Sequence, residues 1–340
     1  MNRRSFISVS AAIATVSFAG CISSDQNDGQ PSDGDPGSQQ STDEEGPVGP
    51  EEAVKHYDNA IELLSKNTEE FDFARQQLLL ENENVNFSAS TIASRTDEVR
   101  RQLDRAALED DGSLEDEIET LRRVASYQDS LAQYNQEYLN LIRYLNSGLD
   151  YYSEGQYQQG ILTLQNAQQQ VGTTKSSLDD VEEKLNAVLD AADSADMGDR
   201  FREGVLLVDD DHVEVREELH LLDQVIHARI DEIRGEQAFE SATEQFEAER
   251  FGSARSQYSD AERYFVSAIT QIEHLNIESD TAYLASLIND ANALKCMYEF
   301  LADASNEMAQ ASQAMQNDNL KQAESHHESA NNHLSMIGTC

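Results

Sequence analysis

The chain has 340 residues, and its 65 acidic side chains outnumber 24 lysines and arginines to give a formal net charge of −41. Nucleic acid and anionic lipid headgroups are expected to be poor direct partners, because the sequence has no basic patch to neutralise phosphate. The charge destabilises a compact body by self-repulsion in dilute buffer, whereas molar salt screens it because the Debye length falls to about 3 Å. We therefore expect the fold to depend on high salt.

The first 21 residues have the composition of an export signal. Arg3 and Arg4 precede an uncharged stretch from Phe6 to Gly20, which is shorter than the about 20 apolar residues of a spanning helix. Small residues then lead to Cys21. This pattern resembles a twin-arginine lipoprotein signal peptide. The resemblance implies that the mature chain begins at Cys21 and is held by lipid at the extracytoplasmic face of the cell membrane.

Two alternatives to lipidation stay open, an uncleaved N-terminal anchor and a soluble signal cut near Ala19.

The twin-arginine route carries proteins that have already folded in the cytoplasm. The acidic composition, together with this route, resembles haloarchaeal proteins, whose acidic surfaces stay soluble in brine. For the charge itself, the alternatives are an ordinary acidic protein and a cation-binding surface.

Residues 22–50 contain almost no apolar side chains and hold all four prolines of the chain. Such a composition cannot bury a core and predicts a disordered acidic linker. As a flexible coil it would span roughly 30 Å, enough to hold a folded body clear of the lipid headgroups.

Residues 51–340 contain no proline and are rich in the strong helix formers Ala, Leu, Glu, Gln and Arg. Apolar residues recur at helical spacing, as in the stripe Leu219, Leu222, Ile226, Ile230 and Ile233. We predict an all-α body of long antiparallel hairpins or a bundle, with a subdivision near Gly198 left open. The predicted helices cover 51–66, 70–82, 88–109, 114–153, 156–171, 174–193, 199–207, 211–249, 251–273, 280–316 and 318–337.

Glycines and short polar residues mark the predicted helix ends. Gly112, Gly172 and Gly198 are predicted breaks, and Ser113 is placed to cap the free amides of the helix that follows it. The run from Asp209 to Asp211 is interpreted as a solvated helix start, because it lacks the alternating ligands of a calcium loop.

Four segments share a large apolar residue, a small residue three positions later, and usually a second large residue and an alanine after that. They are Phe71/Ala74/Leu78, Tyr157/Gly160/Leu164/Ala167, Phe251/Ala254/Tyr258/Ala261 and Leu320/Ala323/His327/Ala330. This spacing resembles the second helix of a tetratricopeptide repeat, and Tyr144, Gly148, Tyr151 and Gly155 extend the second copy backward along that motif. The resemblance implies tetratricopeptide-like hairpins, although the uneven spacing of the copies excludes a regular tandem array. Generic alanine-rich helix packing is the alternative.

Two Glu/His pairs were weighed as metal ligands. Glu217 and His220, like Glu324 and His327, lie three positions apart and share a helix face, a pattern that resembles the ligands of di-iron carboxylate bundles. His227 adds a third candidate histidine. Because glutamate is so abundant here, structural histidines are the favoured interpretation, and we assign no metal and no other cofactor.

The remaining chemistry is sparse. The sequence contains no phosphate-binding loop, nucleophile elbow or zinc-protease motif, so we predict a protein that is not an enzyme. Cys296 and Cys340 would suit a disulfide outside the cell, whereas Cys296 in mid-helix also suits a buried small residue. Both interpretations stay open.

These observations favour a non-enzymatic cell-surface lipoprotein whose hairpins present grooves to another extracytoplasmic protein. Five aromatic residues are predicted to have packing as their main role and lining of such grooves as a secondary role: Tyr144, Tyr151, Tyr157, Phe251 and Tyr258. The alternatives are a metal-binding helical-bundle protein and a solute-binding lipoprotein that serves a transporter. The second is less favoured, because that role usually requires a two-lobed α/β body.

Overall fold

The computed structural model describes residues 50–79, 87–194, 199–273 and 282–340, and the regular structure in these ranges is entirely helical. The predicted all-α class is therefore confirmed. The predicted signal peptide and nearly all of the predicted linker lie outside the described residues. The helices are α1 (Pro50–Leu79), α2 (Ala89–Glu109), α3 (Glu115–Ser153), α4 (Tyr157–Ser194), α5 (Asp199–Glu247), α6 (Phe251–Glu273), α7 (Ala282–Gln316) and α8 (Leu320–Met336), and a 3₁₀ turn (Ile337–Thr339) follows.

Each helix packs mainly against its neighbours in the chain, from α1 against α2 through to α7 against α8. The next-but-one pairs α1/α3 and α5/α7 also touch. Contacts between α3 and α4 are antiparallel, since Ser130 bonds Asp180 near their middle while Arg123, near the start of α3, reaches Ala187, near the end of α4. The result is a series of helical hairpins side by side, here named the hairpin array, as the sequence predicts.

Three hairpins close with the same tight turn. After α3, the amide of Gln156 donates to the Tyr151 carbonyl (2.9 Å) and that of Gly155 to the Tyr152 carbonyl (3.0 Å). Equivalent bonds follow α5 and α7, and the left-handed position of the turn is taken by Gly155 (φ 75°), Glu249 (φ 57°) and Asp318 (φ 53°). This is a Schellman motif, in which the next helix starts almost at once. The repeat copies at Tyr157, Phe251 and Leu320 follow these three turns.

Three predicted helix breaks are wrong. Gly172 is exposed within α4, where the buried stripe continues through Val171 and Leu178, and an exposed glycine costs a helix only about 1 kcal/mol relative to alanine. The predicted helices 51–66 and 70–82 are one helix to Leu79, with Asn67 buried inside it. The predicted helices 199–207 and 211–249 likewise merge in α5, so the run from Asp209 to Asp211 is helix interior.

The connection between α2 and α3 differs from the predicted serine cap. Asp110, rather than Ser113, accepts the Leu114 amide (2.9 Å), and the Ser113 hydroxyl donates to the other Asp110 oxygen (3.0 Å). The Leu114 amide bond lowers the pKa of Asp110, because it stabilises the carboxylate. The predicted Ser113 cap is therefore wrong: neither side chain bonds an amide in the first turn of α3, and Asp110 instead orders the residues just before the helix.

The long helix α5 belongs to two cores. The predicted stripe of Leu219, Leu222 and Ile226 is buried with α1 to α4, and Ile230 and Ile233 complete it. On another face of the same helix, Leu221, Val225 and Ala228 are buried with α6 and α7. This two-sided burial joins the first two hairpins to the last two. The subdivision near Gly198 stays a prediction, since residues 195–198 are outside the described ranges.

Small residues of the repeat bring helices close together. A Cβ atom on Gly160 would lie 3.2 Å from the Gly148 carbonyl oxygen, and one on Gly148 would lie 2.7 Å from the Leu164 side chain. Tyr258 is fully buried in the third copy. In the fourth copy, the predicted packing of Leu320 and His327 is wrong, because both side chains are exposed and only the two alanines are buried.

Candidate functional site

Helix α5 buries two carboxylates that meet tyrosines from α3. Glu218 and Glu232 are 1% and 2% exposed, and they lie two heptads apart on one helix face. The Tyr138 hydroxyl donates to Glu218 Oε1 (2.5 Å), and the Tyr152 hydroxyl donates to Glu232 Oε1 (3.4 Å). The two tyrosines have the same separation on α3 as the two glutamates on α5. The parallel helices α3 and α5 therefore share one register, fixed mainly by the short Tyr138–Glu218 hydrogen bond and repeated by the longer Tyr152–Glu232 contact.

Glu232 also reaches the fourth hairpin, formed by α7 and α8. Its Oε2 accepts from the Tyr298 hydroxyl of α7 (2.9 Å) and from Nη1 of Arg229, one turn earlier on α5 (2.6 Å). One carboxylate thus connects α3, α5 and α7. We name Tyr152, Arg229, Glu232 and Tyr298 the Glu232 junction.

The charges of the Glu232 junction support each other. Burial by itself would lower the pKa of Arg229, but the Glu232 carboxylate outweighs it and raises the Arg229 pKa above its ordinary value. Burial, followed by the nearby Glu232 charge, raises the pKa of Tyr152 and of Tyr298. Both phenols are therefore neutral donors near neutral pH, and the guanidinium is charged.

Such a network positions helices rather than performing acid–base chemistry. The junction carboxylate already accepts from all three partners, and phenols with raised pKa values are poor nucleophiles and poor bases. A buried ion pair contributes little net stability but penalises every alternative packing that would leave it unpaired. The Glu232 junction therefore favours one register of the three hairpins.

A second buried polar group joins the first two hairpins. The Asn67 amide of α1 donates to Gln128 Oε1 of α3 (2.9 Å), and the Gln128 amide donates back to the Leu64 carbonyl (3.1 Å). Arg95 of α2 donates to both Asn67 (3.3 Å) and Glu70 (2.5 Å). Polar contacts thus recur where α1 meets α3, where α3 meets α5 and where α5 meets α7.

The residues weighed as metal ligands lie on two helices that pack elsewhere. His220 is exposed and Glu217 half-buried on α5, while Glu324 and His327 are exposed on α8, which packs mainly on α7. Within the described ranges, no three His, Cys, Asp or Glu side chains are grouped as metal ligands would be. His227 bonds the Gln168 amide and the Asp223 carbonyl (2.8 Å for the latter).

The five predicted groove aromatics differ in burial. Tyr258 packs edge-on against Phe239 (ring centroids 5.1 Å apart), and Phe251 packs in the same way against Phe246 (5.4 Å). The Tyr157 hydroxyl donates to Glu240 Oε1 (2.5 Å), which joins α4 to α5. Tyr151 is half-buried, whereas Tyr144 is 41% exposed. Packing is thus the role the structure gives to Tyr258 and Phe251, and Tyr144 is a surface residue.

Cys296 and Cys340 form a disulfide, with their Cα atoms 5.7 Å apart. Cys296 lies on α7, and Cys340 is the last residue of the chain. They are 44 residues apart, with the turn residue Asp318 midway between them. Two residues equally far from a tight turn lie side by side in an antiparallel hairpin. That symmetry about the turn is the sequence signal that decides between the two interpretations of Cys296.

Two surface recesses are formed by described residues. A groove of about 500 Å³ on α1 and α2 is lined by Leu63, Ser90, Thr91, Ser94, Arg95 and Glu98. A smaller one of about 290 Å³ on α3 and α4 is lined by Asp116, Glu119, Thr120, Arg123, Asp190 and Ala191. In the smaller recess, Arg123 is paired with Glu119 and also donates to the Ala187 carbonyl.

Comparison with protein-family models, curated proteins and solved structures gives no match for this chain. Across the described ranges, no helix combines the length and the apolar character needed to cross a membrane.

Proposed function

We propose that this protein is a non-enzymatic lipoprotein of the extracytoplasmic membrane face, whose hairpin array presents an extended binding surface to another protein. The observation that carries the proposal is the serial packing of hairpins. Helix pairs that contact mainly their neighbours form long surfaces, and stacked-hairpin proteins use such surfaces to bind proteins. Membrane attachment would be through lipid on Cys21, with Arg3 and Arg4 directing export.

The disulfide supports an address outside the cytoplasm. Disulfides persist in oxidising compartments and are rare where thiols are kept reduced. Cys296 and Cys340 are joined, and Cys21 is left for the lipid. The net charge of −41 supports the halophilic origin we propose, because such a body needs molar salt to screen its self-repulsion.

The three Schellman turns lie at the end of the array opposite the start of α1. Consecutive helices are antiparallel, so the start of α1 lies at the opposite end from the three Schellman turns, at Gly155, Glu249 and Asp318. The linker enters at Pro50, where α1 begins. In our proposal the turn-bearing end is therefore the end farther from the point where the linker joins the array, and it is accessible to a partner.

Affinity capture tests the proposal. The tagged full chain is recovered from membranes solubilised in molar potassium chloride, with a Cys21→Ser variant to test anchoring and an Arg3→Lys/Arg4→Lys variant to test export. We expect one protein to co-purify in stoichiometric amount with the wild type. The Cys21→Ser chain should leave the membrane fraction, and the lysine variant should stay inside the cell. Recovery of no stoichiometric partner would contradict the interaction role, and unchanged fractionation of both variants would contradict the address.

A further inference from the structure

The last helix of the array is held by few apolar contacts. The 17-residue helix α8 has two buried residues, Ala323 and Ala330, and its Leu334 packs partly buried against the same cluster as Ala330. The 23-residue helix α6 buries six, among them Tyr258, Phe265 and Ile272. Alanine offers little apolar area, so burial contributes much less to the docking of α8 than to that of α6.

The polar contacts between α8 and α7 are also limited. His326 Nδ1 lies 2.7 Å from Glu307 Oε2, and His333 Nδ1 lies 3.6 Å from Asp303 Oδ2. Each of these is an ion pair only when its histidine is protonated. The partially exposed side chains involved allow solvent to weaken both contacts.

The Cys296–Cys340 disulfide is the covalent link between the end of α8 and α7. It closes a loop with a sequence separation of 44 that contains all of α8. Cys340 is exposed and Cys296 half-buried, so the bond lies near the surface, where a small thiol can approach it. Closing a loop of this length disfavours the undocked state of α8 by a larger factor than burial of its small apolar side chains does.

We propose that the disulfide is a redox-sensitive latch, whose reduction by a dithiol releases α8 from α7 and leaves the rest of the array folded. One thiolate of the dithiol attacks a sulfur of the bond and forms a mixed disulfide, and the second thiol then displaces the protein sulfur. Two electrons pass from the dithiol to the protein. Cys296 and Cys340 become thiols, and the dithiol becomes a cyclic disulfide.

Release of α8 would uncover apolar surface on α6 and α7. Ala330 of α8 shares a buried cluster with Ala304, Met308 and Ala309 of α7 and with Tyr258 of α6. The helices below this cluster have their own packing, since α6 and α7 bury Phe265, Leu287 and Leu294 together. The latch therefore acts on one helix and not on the whole body.

Hydrogen exchange of the full chain, with and without dithiothreitol in molar potassium chloride, tests the latch. We expect reduction to lower the protection of amides in residues 320–336 on the order of 1,000-fold, as the loss of a closed loop of this size predicts. Amides of α3 to α6 should keep their protection. The Cys296→Ser/Cys340→Ser variant should show the reduced pattern under both conditions.

Each other outcome overturns the latch. Unchanged protection of α8 after complete reduction would mean that its alanines and histidines suffice to hold it. Loss of protection throughout the chain would mean that the disulfide stabilises the whole body. If the double variant does not fold, reduction of the folded wild type still decides between these outcomes.

Discussion

Replacement of Glu232 by alanine removes the one carboxylate that connects three hairpins. It leaves Arg229 Nη1 and the Tyr298 hydroxyl without the acceptor that now lies 2.6 and 2.9 Å away. Breaking a buried ion pair from one side costs about 3–5 kcal/mol. Because 17% of the Arg229 side chain is exposed, the lower limit of about 3 kcal/mol applies.

The tyrosines add a smaller amount. The fully buried Tyr298 hydroxyl loses a good hydrogen bond, at a cost of about 1 kcal/mol. The Tyr152 contact at 3.4 Å is too long to add much. We therefore expect Glu232→Ala to lower the free energy of unfolding by about 4 kcal/mol, a large part of the typical 5–15 kcal/mol of a folded protein.

Urea denaturation in molar potassium chloride, followed by circular dichroism, measures this change. The matched control is Glu183→Ala on α4, since 78% of the Glu183 side chain is exposed and its change should stay within about 0.5 kcal/mol. The variant Arg229→Met/Glu232→Leu removes both charges and should recover most of the loss, because apolar pairs of similar volume replace buried ion pairs at little cost. If Glu232→Ala resembles the control, the Glu232 junction does not hold the array together. If the double variant is no better than the single one, the loss does not come from an unpaired buried charge.

Three further predictions concern individual positions and the solvent. Gly172→Ala should stabilise the protein by up to about 1 kcal/mol, since Gly172 is exposed in a helix with open space around it. Gly235→Ala should destabilise the protein, because the new Cβ would lie 2.7 Å from the Phe265 ring. Thermal melts that shift in the same direction for both variants would refute the close packing of α5 against α6 at Gly235. Burial raises the pKa of Glu236 above its ordinary 4.5, so Glu236 disfavours folding increasingly as the pH rises from 4.5 through its folded-state pKa. Glu236→Gln should therefore be more stable than the wild type at neutral pH. Unfolding curves measured across this range should show that the advantage shrinks toward pH 4.5, and a constant difference would contradict this prediction. Dialysis to dilute buffer should abolish the helical circular dichroism signal, and retained helicity would contradict the dependence on salt that we infer from a net charge of −41.

The helical class and most helix ends follow from local sequence. The apolar stripe beginning at Leu219 and the positions of the three hairpin turns are visible in composition and periodicity alone. The predicted breaks at Gly172 and near Asn67 are wrong for a tertiary reason. A stripe that continues on both sides keeps the helix intact at Gly172, and Asn67 is satisfied by Gln128 of another helix.

The Glu232 junction could not be predicted from the sequence alone. Glu232 is one of 65 acidic residues, most of which local pattern assigns to solvent. Tyr138 and Tyr152 repeat at the same interval as Glu218 and Glu232 in the sequence, but only the offset between α3 and α5 places each tyrosine opposite its glutamate. Helix offset depends on turn geometry and packing rather than on local propensity. The burial of an individual residue is also hard to predict from a repeat pattern. The pattern places His327 at a packing position, whereas its side chain is exposed on α8.

Crosslinking in intact cells is the most direct test of the proposed binding of the array to another protein outside the cell. A photo-reactive amino acid is placed singly at Tyr144, Leu162 or Val266, which are 41%, 55% and 48% exposed on α3, α4 and α6, and the fully buried Tyr258 serves as the control position. Irradiation in molar potassium chloride should give an adduct with the same partner protein from at least one exposed position and none from Tyr258. The absence of a partner adduct at all three exposed positions would contradict the proposed function.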